Sequence, residues 1–564
     1  MQIFFKYLLI FFCFFLTSNI FPHSNDPVRG KNGMVVSASK IASQVGVDIL
    51  KKGGNAIDAA VAVGFTLAVT YPSAGNIGGG GFMVLHLQDG TNTTIDFREI
   101  APKAVNEYIY QDSLGNFLPD KSQFGVTSSG VPGSVAGLLY ALEKYGTMSL
   151  SDVIQPAIDL ARNGFELEHR LAESLEYELE YFNKYPSSKN IFTKDGFAYQ
   201  ENDILIQTDL ANTLERIKEY GFDGFYKGKT AELIFNQIKS DGGYISLEDL
   251  ANYSPVERKP ISTAYKGYSV LTMGPPSGGG VTLLQMLNIL ENISFDKKEW
   301  GSSNYIHHLV EAMKYSFADR SKHIGDPDYY NVPIDWLLSK KYAKELFDKI
   351  DSLAIPSNQI QPGEISSYKE SEETTHYSII DKFGNAVSTT TTINSSYGSK
   401  VVVEGAGFLL NNEMDDFSSK PGVPNQFGLV GSEANKIEPG KRMLSSMSPT
   451  IILKDEKPYM IIGTPGGSTI STIVLQVILN VLDFDMNIQQ AIDAHHIHHQ
   501  WLPDRIDYEE FGLIEDVTNN LKSKSHILGN VRSLGRCEGI MIDNKNGIYF
   551  GATDSRGFGA AIGY

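Results

Sequence analysis

The junction at residues 360–381 constrains this 564-residue chain more than any other part of its sequence. Residues 360–373 contain Pro, Gly, Ser and Glu with few apolar side chains, a composition that predicts an exposed, flexible segment. Directly after it, residues 374–381 have the character of a strand, 382–385 form a turn, and 386–393 form a second, Thr-rich strand. A flexible polar segment that leads straight into a buried hairpin is where we expect the chain to be processed.

The rest of the chain predicts both helices and strands. Residues 55–63 form an N-capped helix that is apolar almost all round and therefore buried. Further strands are expected at 84–87, 94–97, 450–453, 459–462, 539–542 and 547–550, and further helices at 304–323, 468–482 and 485–495. Strands that precede and follow helices, with short turns between them, predict sheets covered by helices on their outer faces.

Residues 1–24 have the pattern of a secretory signal peptide. Lys6 supplies one positive charge, residues 7–16 are apolar, and small polar residues follow. The apolar run is about half of the ~20 residues that a membrane-spanning helix needs, so an uncleaved anchor is the weaker alternative. No Ala-x-Ala sequence marks the cleavage point. We expect an exported protein, periplasmic or secreted, without a stable membrane span.

Charge and cysteine content exclude a nucleic-acid partner and an intramolecular disulfide in the mature chain. The formal net charge is -18, from 48 basic and 66 acidic residues, and no Lys/Arg-rich block is present. Such a protein repels phosphate backbones, so nucleic acid is excluded as a partner. Of the two cysteines, Cys13 lies in the presumed signal peptide, which leaves Cys537 without an intramolecular disulfide partner.

Thr374 begins the predicted strand, and its chemistry changes if the chain is cut before it. A Thr hydroxyl does not ionise near neutral pH, so as a nucleophile it needs a base. An N-terminal Thr carries one, because its own α-amino group has a reference pKa of about 7.7–8.0. Most Thr residues in strands have no such role, so the interpretation depends on the surrounding sequence.

Six short motifs occur in one order along the chain: residues 75–81 (GNIGGGG), 96–102 (DFREIAP), 374–378 (TTHYS), 411–417 (NNEMDDF), 445–450 (SSMSPT) and 463–468 (GTPGGS). Together they resemble the gamma-glutamyltranspeptidase family, bacterial type. The resemblance covers nearly the whole chain after the presumed signal peptide. Several separate motifs in one order are hard to obtain by chance.

The resemblance implies an α+β fold, a four-layer αββα sandwich of the N-terminal nucleophile hydrolase type. It also implies that the chain cuts itself between Glu373 and Thr374. A large subunit of residues 25–373 and a small, catalytic subunit of residues 374–564 would then form one domain as a heterodimer. Thr374 would attack the γ-glutamyl amide of glutathione or a related compound, and water or an amino acid or peptide acceptor would resolve the acyl-enzyme. We expect neither a cofactor nor a metal ion.

The resemblance also implies roles for individual residues. Arg98 matches the clamp for the substrate α-carboxylate, and its planar guanidinium suits two parallel hydrogen bonds. The other matches are hydroxyl partners of that carboxylate (Ser445, Ser446), residues that grip the α-ammonium (Asp416, with Glu413 and Asn394), a Thr that hydrogen-bonds the nucleophile (Thr392) and glycines whose amides form the oxyanion hole (Gly466, Gly467). Thr375 and His376 are expected to be scaffold.

One departure lies in residues 420–428, which resemble the lid loop of bacterial members. Those members often have a Tyr that closes the lid by hydrogen-bonding to the residue matching Asn394. This chain has Phe427 there, which keeps the aromatic ring and loses the hydroxyl. Glu413 stands where other bacterial members have Gln, and either side chain can face an ammonium.

Three other features have simpler interpretations. Residues 78–81 are four glycines, but no Gly-Lys-Ser/Thr or dinucleotide fingerprint follows, so a tight turn is favoured over a phosphate site. The histidines within residues 495–499 do not form a closed ligand set, which argues against a metal. Asn394 begins a glycosylation sequon, yet modification there would block the expected pocket.

Two alternative functions stay open. An acylase for glutaryl-type amides, such as cephalosporin side chains, is a specialisation of the same family, but its substrates lack the α-ammonium that Asp416 would face. The alternative from another class is an exported protein that binds γ-glutamyl peptides without turnover. Internal cleavage that depends on Thr374 separates the enzyme from the binding protein.

Overall fold

Two seven-stranded sheets form the centre of the computed structural model, which describes residues 25–361 and 374–564 except 421, 424, 427 and 430. In each sheet, neighbouring strands run antiparallel. The first sheet contains, in spatial order, Val28–Gly30, Ile548–Thr553, Glu538–Asp543, Lys457–Gly463, Thr450–Lys454, Tyr268–Thr272 and Ile261–Tyr265. The second contains Ala560–Gly563, Gly33–Ser37, Thr375–Asp381, Ala386–Thr392, Gly80–His86, Asn92–Asp96 and Val256–Arg258.

The inner faces of the two sheets pack directly on each other. Ser378 Oγ donates to the carbonyl oxygen of Glu538 (3.1 Å), and this hydrogen bond joins the sheets. Successive side chains of a strand point to opposite faces, so a strand of the second sheet can contribute to two cores. Met34 and Val36 pack in one hydrophobic core, and Val35 between them packs in the other.

Helices cover the outer face of each sheet, which gives the four layers of the predicted αββα sandwich. Lys40–Lys51, Ala56–Thr70 and Ser134–Tyr145 pack on the second sheet, and Gly278–Leu290, Ile470–Leu482 and Ile488–Asp493 pack on the first. The other helices are Pro119–Gln123, Leu150–Asn163, His169–Tyr177, Leu179–Lys184, Pro186–Phe192, Thr208–Tyr220, Asp223–Tyr226, Gly228–Ser240, Leu247–Ala251, Ser303–His323, Ile334–Leu337, Lys340–Phe347 and Glu515–Ser523. Among the described residues, no helix is both long enough and apolar enough to cross a bilayer.

Capping residues set the helix bounds. The helix predicted from residue 55 begins after Asn55, which forms a capping box with Asp58, and all residues of Ala56–Thr70 are buried. The helix predicted at 485–495 is shorter, Ile488–Asp493, because Asn487 caps its start and the backbone leaves the helical conformation at Ala494.

The two ends of the described chain meet at the edge of the second sheet. Ala560–Gly563 pairs with Gly33–Ser37, and the amides of Lys31 and Asn32 donate to the carbonyl oxygen of Tyr564 at 2.8 and 2.7 Å. The second sheet therefore interleaves strands from before and after Thr374.

Candidate active site

Thr374 lies at the N-terminal end of the strand Thr375–Asp381, inside the second sheet, with only 4% of its surface exposed. Neighbouring strands flank this strand on both sides. Thr375 pairs with Thr391, so the register places Thr374 opposite Thr392 at the end of the hairpin. The side chain of Thr374 faces a cavity of about 30 Å³.

Most residues predicted for the site line this same cavity. They are Arg98, Thr374, Thr392, Asn394, Glu413, Asp416, Ser445, Ser446 and Gly467. Gly466 directly precedes Gly467 in the chain. Glu373 lies outside the described residues, so cleavage before Thr374 stays a prediction.

The two glycines predicted to form the oxyanion hole precede a helix. Gly466 has a φ of 133° and Gly467 a φ of 50°, which residues with a Cβ adopt only under strain. A 3₁₀ turn, Gly467–Thr469, leads into the helix Ile470–Leu482, whose N-terminal end carries a partial positive charge. Backbone amides and this dipole favour negative charge beside Thr374.

Arg98 follows the strand Asn92–Asp96 and is completely buried. Its Nη1 lies 2.6 Å from Glu413 Oε2, and its Nη2 lies 2.5 Å from Asp416 Oδ2. The contact with Glu413 lacks the alignment of a hydrogen bond and is an ion pair only. Both acids reach Arg98 because they lie on one 3₁₀ turn, Glu413–Asp416.

Burial dominates the electrostatics of this cluster. It raises the pKa of Glu413 and Asp416, while Arg98 opposes that shift by favouring the carboxylates. Burial lowers the pKa of Arg98, but the neighbouring carboxylates more than offset this effect and raise the pKa above its usual range. Arg98 and Asp416 carry opposite charges and pair with each other. A zwitterionic ligand would replace this contact by placing its negative group on Arg98 and its positive group on Asp416.

Asn394 connects Thr392 to the other wall of the cavity. It has a φ of 75°, a left-handed conformation that Asn tolerates better than most residues. Its amide donates to Thr392 Oγ1 (2.8 Å), and its Nδ2 donates to the carbonyl oxygen of Asn412 (3.0 Å). The hydrogen bond from Thr392 to the nucleophile stays a prediction.

Ser445 and Ser446 are held by the segment that begins the helix Gly278–Leu290. The Ser445 amide donates to the carbonyl oxygen of Pro276 (2.9 Å), and the Gly278 amide donates to that of Ser445 (2.7 Å). Both hydroxyls act as acceptors. Ser445 Oγ accepts from the Met447 amide (3.2 Å), and Ser446 Oγ accepts from Arg320 Nη2 (3.0 Å).

Arg320 lines the cavity but was not predicted from the sequence. It lies near the C-terminal end of the helix Ser303–His323, on which every residue from Tyr305 to Arg320 except His308 is buried. Its burial results from the packing of this helix in the folded protein, which the sequence pattern does not show.

The predicted lid loop, residues 420–428, contributes Asn425 to the cavity wall, and Leu429 directly after it also lines the cavity. Asn425 Nδ2 donates to Asp416 Oδ1 (3.3 Å). Ser395 Oγ donates to Gln426 Oε1 (2.8 Å), which attaches the loop beside Asn394. Phe427 lies outside the described residues, so its effect on the lid stays a prediction.

One group of described residues approaches the geometry of a metal site: His307, Glu311 and His526, whose ligand atoms lie within 4.8 Å of one another. These atoms already bind each other or a neighbour. His307 Nδ1 lies 2.8 Å from His526 Nε2, and Lys314 Nζ lies 2.5 Å from Glu311 Oε1. Of the histidines within 495–499, His495 and His496 both lie near Glu509 Oε2, at 3.9 and 3.8 Å, whereas His498 and His499 contact other residues.

Known proteins resemble this chain over almost its full length. The family described as Gamma-glutamyltranspeptidase matches residues 42–564. The glutathione hydrolase proenzyme of Escherichia coli (strain K12) is 49% identical over 532 residues, which cover 94% of this chain and 91% of that protein. The glutathione hydrolase proenzyme of Pseudomonas sp. (strain A14) is 45% identical over 557 residues, which cover 97% and 96%.

Two solved structures support the same assignment. The cephalosporin acylase from Bacillus halodurans aligns with a TM-score of 0.86 and 29% identity, covering 97% of this chain and 98% of that chain. The gamma-glutamyltranspeptidase of Helicobacter pylori aligns with a TM-score of 0.57 and 49% identity, covering 58% of this chain and 94% of that chain. The αββα sandwich is therefore of the N-terminal nucleophile hydrolase type, and the chain belongs to the gamma-glutamyltranspeptidase family.

Proposed function

We propose that this protein is a self-processing γ-glutamyltranspeptidase and glutathione hydrolase whose nucleophile is Thr374. One observation carries the proposal: Thr374 lies at the end of a central strand, in the same cavity as the ion pair of Arg98 and Asp416. Relatives up to 49% identical are named glutathione hydrolase proenzymes, which agrees with an enzyme that is made as a precursor.

Processing begins when Thr374 Oγ adds to the carbonyl carbon of Glu373. The C–N bond breaks, the acyl group moves to Oγ as an ester, and the hydroxyl proton passes to the nitrogen, which becomes the free α-amine of Thr374. Water then hydrolyses the ester, which leaves Glu373 as a C-terminal carboxylate. The new amine is the base that the hydroxyl of Thr374 needs for its second task.

In the mature enzyme, the α-amine accepts the hydroxyl proton as Oγ attacks the γ-carbonyl carbon of the donor. Amides of Gly466 and Gly467 stabilise the negative charge that develops on the carbonyl oxygen. The C–N bond to the leaving amine breaks, and that amine takes the proton. Water resolves the γ-glutamyl ester to glutamate, or the amine of an amino acid or peptide resolves it to a new γ-glutamyl amide.

Asp416 favours a glutamyl over a glutaryl donor. Arg98, Ser445 and Ser446 would bind the α-carboxylate, and Asp416 would bind the α-ammonium, with help from Glu413 and Asn394. A glutaryl group has no ammonium, so it would leave the Asp416 carboxylate without a counter-charge beside it. The similarity to the cephalosporin acylase therefore supports the fold more than the substrate.

The interleaved second sheet supports a heterodimer of residues 25–373 and 374–564. Thr375–Asp381 and Ala386–Thr392 lie between Gly33–Ser37 and Gly80–His86, so separating the products would break backbone pairing on both sides. The alignment with the solved Helicobacter pylori chain covers 58% of this chain but 94% of that chain. The solved chain is therefore shorter than this one, which agrees with a separate subunit.

Export to the periplasm or medium is part of the proposal and rests on the sequence of residues 1–24. Cell fractionation with N-terminal sequencing tests it. A mature large subunit that still begins at Met1 inside the cell would contradict export.

A denaturing gel of the purified protein tests self-processing. The wild type should give two bands, the smaller with roughly a third of the 62.2 kDa mass and with Thr374 as its first residue. Release of glutamate from glutathione should accompany the two bands. An intact chain that still hydrolyses glutathione would overturn the mechanism, and an intact chain that only binds glutathione would favour the binding protein.

A further inference from the structure

Arg320 is a second buried arginine in the wall of the cavity, beside Arg98. It is 4% exposed, and burial lowers its pKa to about 10, so it remains positively charged at neutral pH. Arg98 contacts Glu413 and Asp416 directly, whereas Arg320 forms no ion pair among the described residues and is influenced by the charge of Asp416. A buried cation of this kind is costly unless it has a specific partner.

The specific partner of Arg320 is the hydroxyl of Ser446. Nη2 donates to Ser446 Oγ at 3.0 Å, while the Nε hydrogen has no acceptor among the described residues. Gly278 leaves room for the guanidinium, since a Cβ at that position would lie 3.1 Å from Arg320 Nε. The surrounding packing therefore fixes the side chain on Ser446.

The direction of this hydrogen bond decides what Ser446 can do. An arginine only donates, so Ser446 Oγ must accept, and its own proton is left to be donated elsewhere. Among residues that the structure describes, none accepts a hydrogen bond from Ser446 Oγ, and Ser446 lines the cavity. The Ser446 hydroxyl is thereby prepared to donate to an anion in the cavity.

We propose that Arg320 is a positioning residue for the donor α-carboxylate: by donating to Ser446 Oγ, it orients the Ser446 hydroxyl as a hydrogen-bond donor to that carboxylate. This inference rests on the proposed function, because it assumes a glutamyl donor. It makes Arg320 a determinant of selectivity for donors that carry an α-carboxylate.

The test compares inhibition by glutamate with inhibition by 4-aminobutyrate, which is glutamate without its α-carboxylate. Both compete with hydrolysis of γ-glutamyl-p-nitroanilide. In Arg320→Met, the inhibition constant of glutamate should rise about tenfold or more, as expected for loss of a charge-assisted hydrogen bond. The constant for 4-aminobutyrate should change by less than about twofold, because that ligand does not use the positioned hydroxyl.

A double-mutant cycle tests the route through Ser446. In a Ser446→Ala background, Arg320→Met should change the glutamate constant by less than about twofold, because the hydroxyl that it orients is already gone. An equal rise for both inhibitors, or the same glutamate effect with and without Ser446, would overturn the proposal.

Two further measurements keep the test decisive. A Cβ at Gly278 would lie 3.0 Å from Leu444 Cδ1 and 3.1 Å from Arg320 Nε, so Gly278→Ala should shift the guanidinium slightly without removing it and should also weaken glutamate selectively. If Arg320→Met loses turnover, the rise in melting temperature with added glutamate reports binding, and a rise equal to that of the wild type would contradict the proposal. Wild-type cleavage and activity test the proposed function separately, so its failure is distinguishable from failure of this inference.

Discussion

Arg98 and Asp416 come from opposite sides of the proposed cleavage site, yet their side chains form one ion pair at 2.5 Å, in which Arg98 is fully buried and Asp416 is 12% exposed. Each proposed subunit therefore supplies one of the two charges expected to bind the zwitterionic end of the donor. Neither subunit contains a complete site alone.

Asp416→Asn should lower kcat/KM for γ-glutamyl-p-nitroanilide by about a hundredfold or more. The substitution leaves the substrate ammonium without its negative partner, a loss of about 3–5 kcal/mol for a buried pair. Glutaryl-p-nitroanilide, which lacks the ammonium, is the control. An equal loss on both substrates would contradict the assignment of Asp416 to the ammonium.

Thr374→Ala should remain a single band and show no turnover, because both processing and hydrolysis need the hydroxyl. Thr375→Val is the matched control at the next position. The Thr375 hydroxyl is buried without a hydrogen-bond partner among the described residues, so its replacement by a methyl group should leave cleavage intact. Cleavage in Thr374→Ala, or its loss in Thr375→Val, would argue against Thr374 as the nucleophile.

Gly467→Ala should lower kcat by about 10²–10³-fold, because a Cβ disturbs the amide that faces the developing oxyanion. Gly384→Ala controls for backbone strain. Gly384 also has a positive φ, 91°, but a Cβ there would meet no atom within 4 Å. The control should lose stability and keep the wild-type kcat, and a similar fall in kcat for both variants would point to strain alone.

The pH dependence of kcat/KM should report the α-amine of Thr374. The amine acts as base only when deprotonated, so activity should rise with pH through its pKa, for which the reference is about 7.7–8.0. Burial lowers the pKa of His376 to about 3, so this histidine is neutral throughout that range. His376→Gln should leave the midpoint unchanged, and a shifted midpoint would mean that His376 takes part.

His376 should instead affect stability in acid. Its folded-state pKa of about 3 lies below the ordinary value of about 6.5, so the unfolded chain binds the proton first. Its contribution is complete above pH 6.5 and declines as the pH falls toward 3, by about 1.4 kcal/mol per pH unit. Melting temperatures between pH 7.5 and 4.5 should fall less steeply in His376→Gln, and parallel slopes would refute this.

Local patterns predicted the sheets and the capped helices because their causes are local. The N-cap at Asn55 and the strand character of residues 374–381 are both visible in the sequence, and both elements appear as expected. The motifs also predicted Arg98, Asp416 and Ser446 as site residues, and all three line one cavity.

Local sequence patterns could not predict which side chains pair with each other inside the cavity. The pairing of Arg98 with Asp416 depends on segments more than 300 residues apart in sequence. Arg320 reaches Ser446 only because the helix Ser303–His323 packs beside the segment around Gly278. Residue types and their spacing carry no information on such contacts.

The position of Tyr564 next to Lys31 and Asn32 means that the protein could be re-ordered without changing its sheets. A short linker from Tyr564 to the residues before Val28, with new ends at residues 373 and 374, would give a circular permutant. Removal of an initiator methionine would then expose the Thr374 amine directly. Such a protein would uncouple maturation from catalysis and show whether the active site forms without peptide-bond rearrangement.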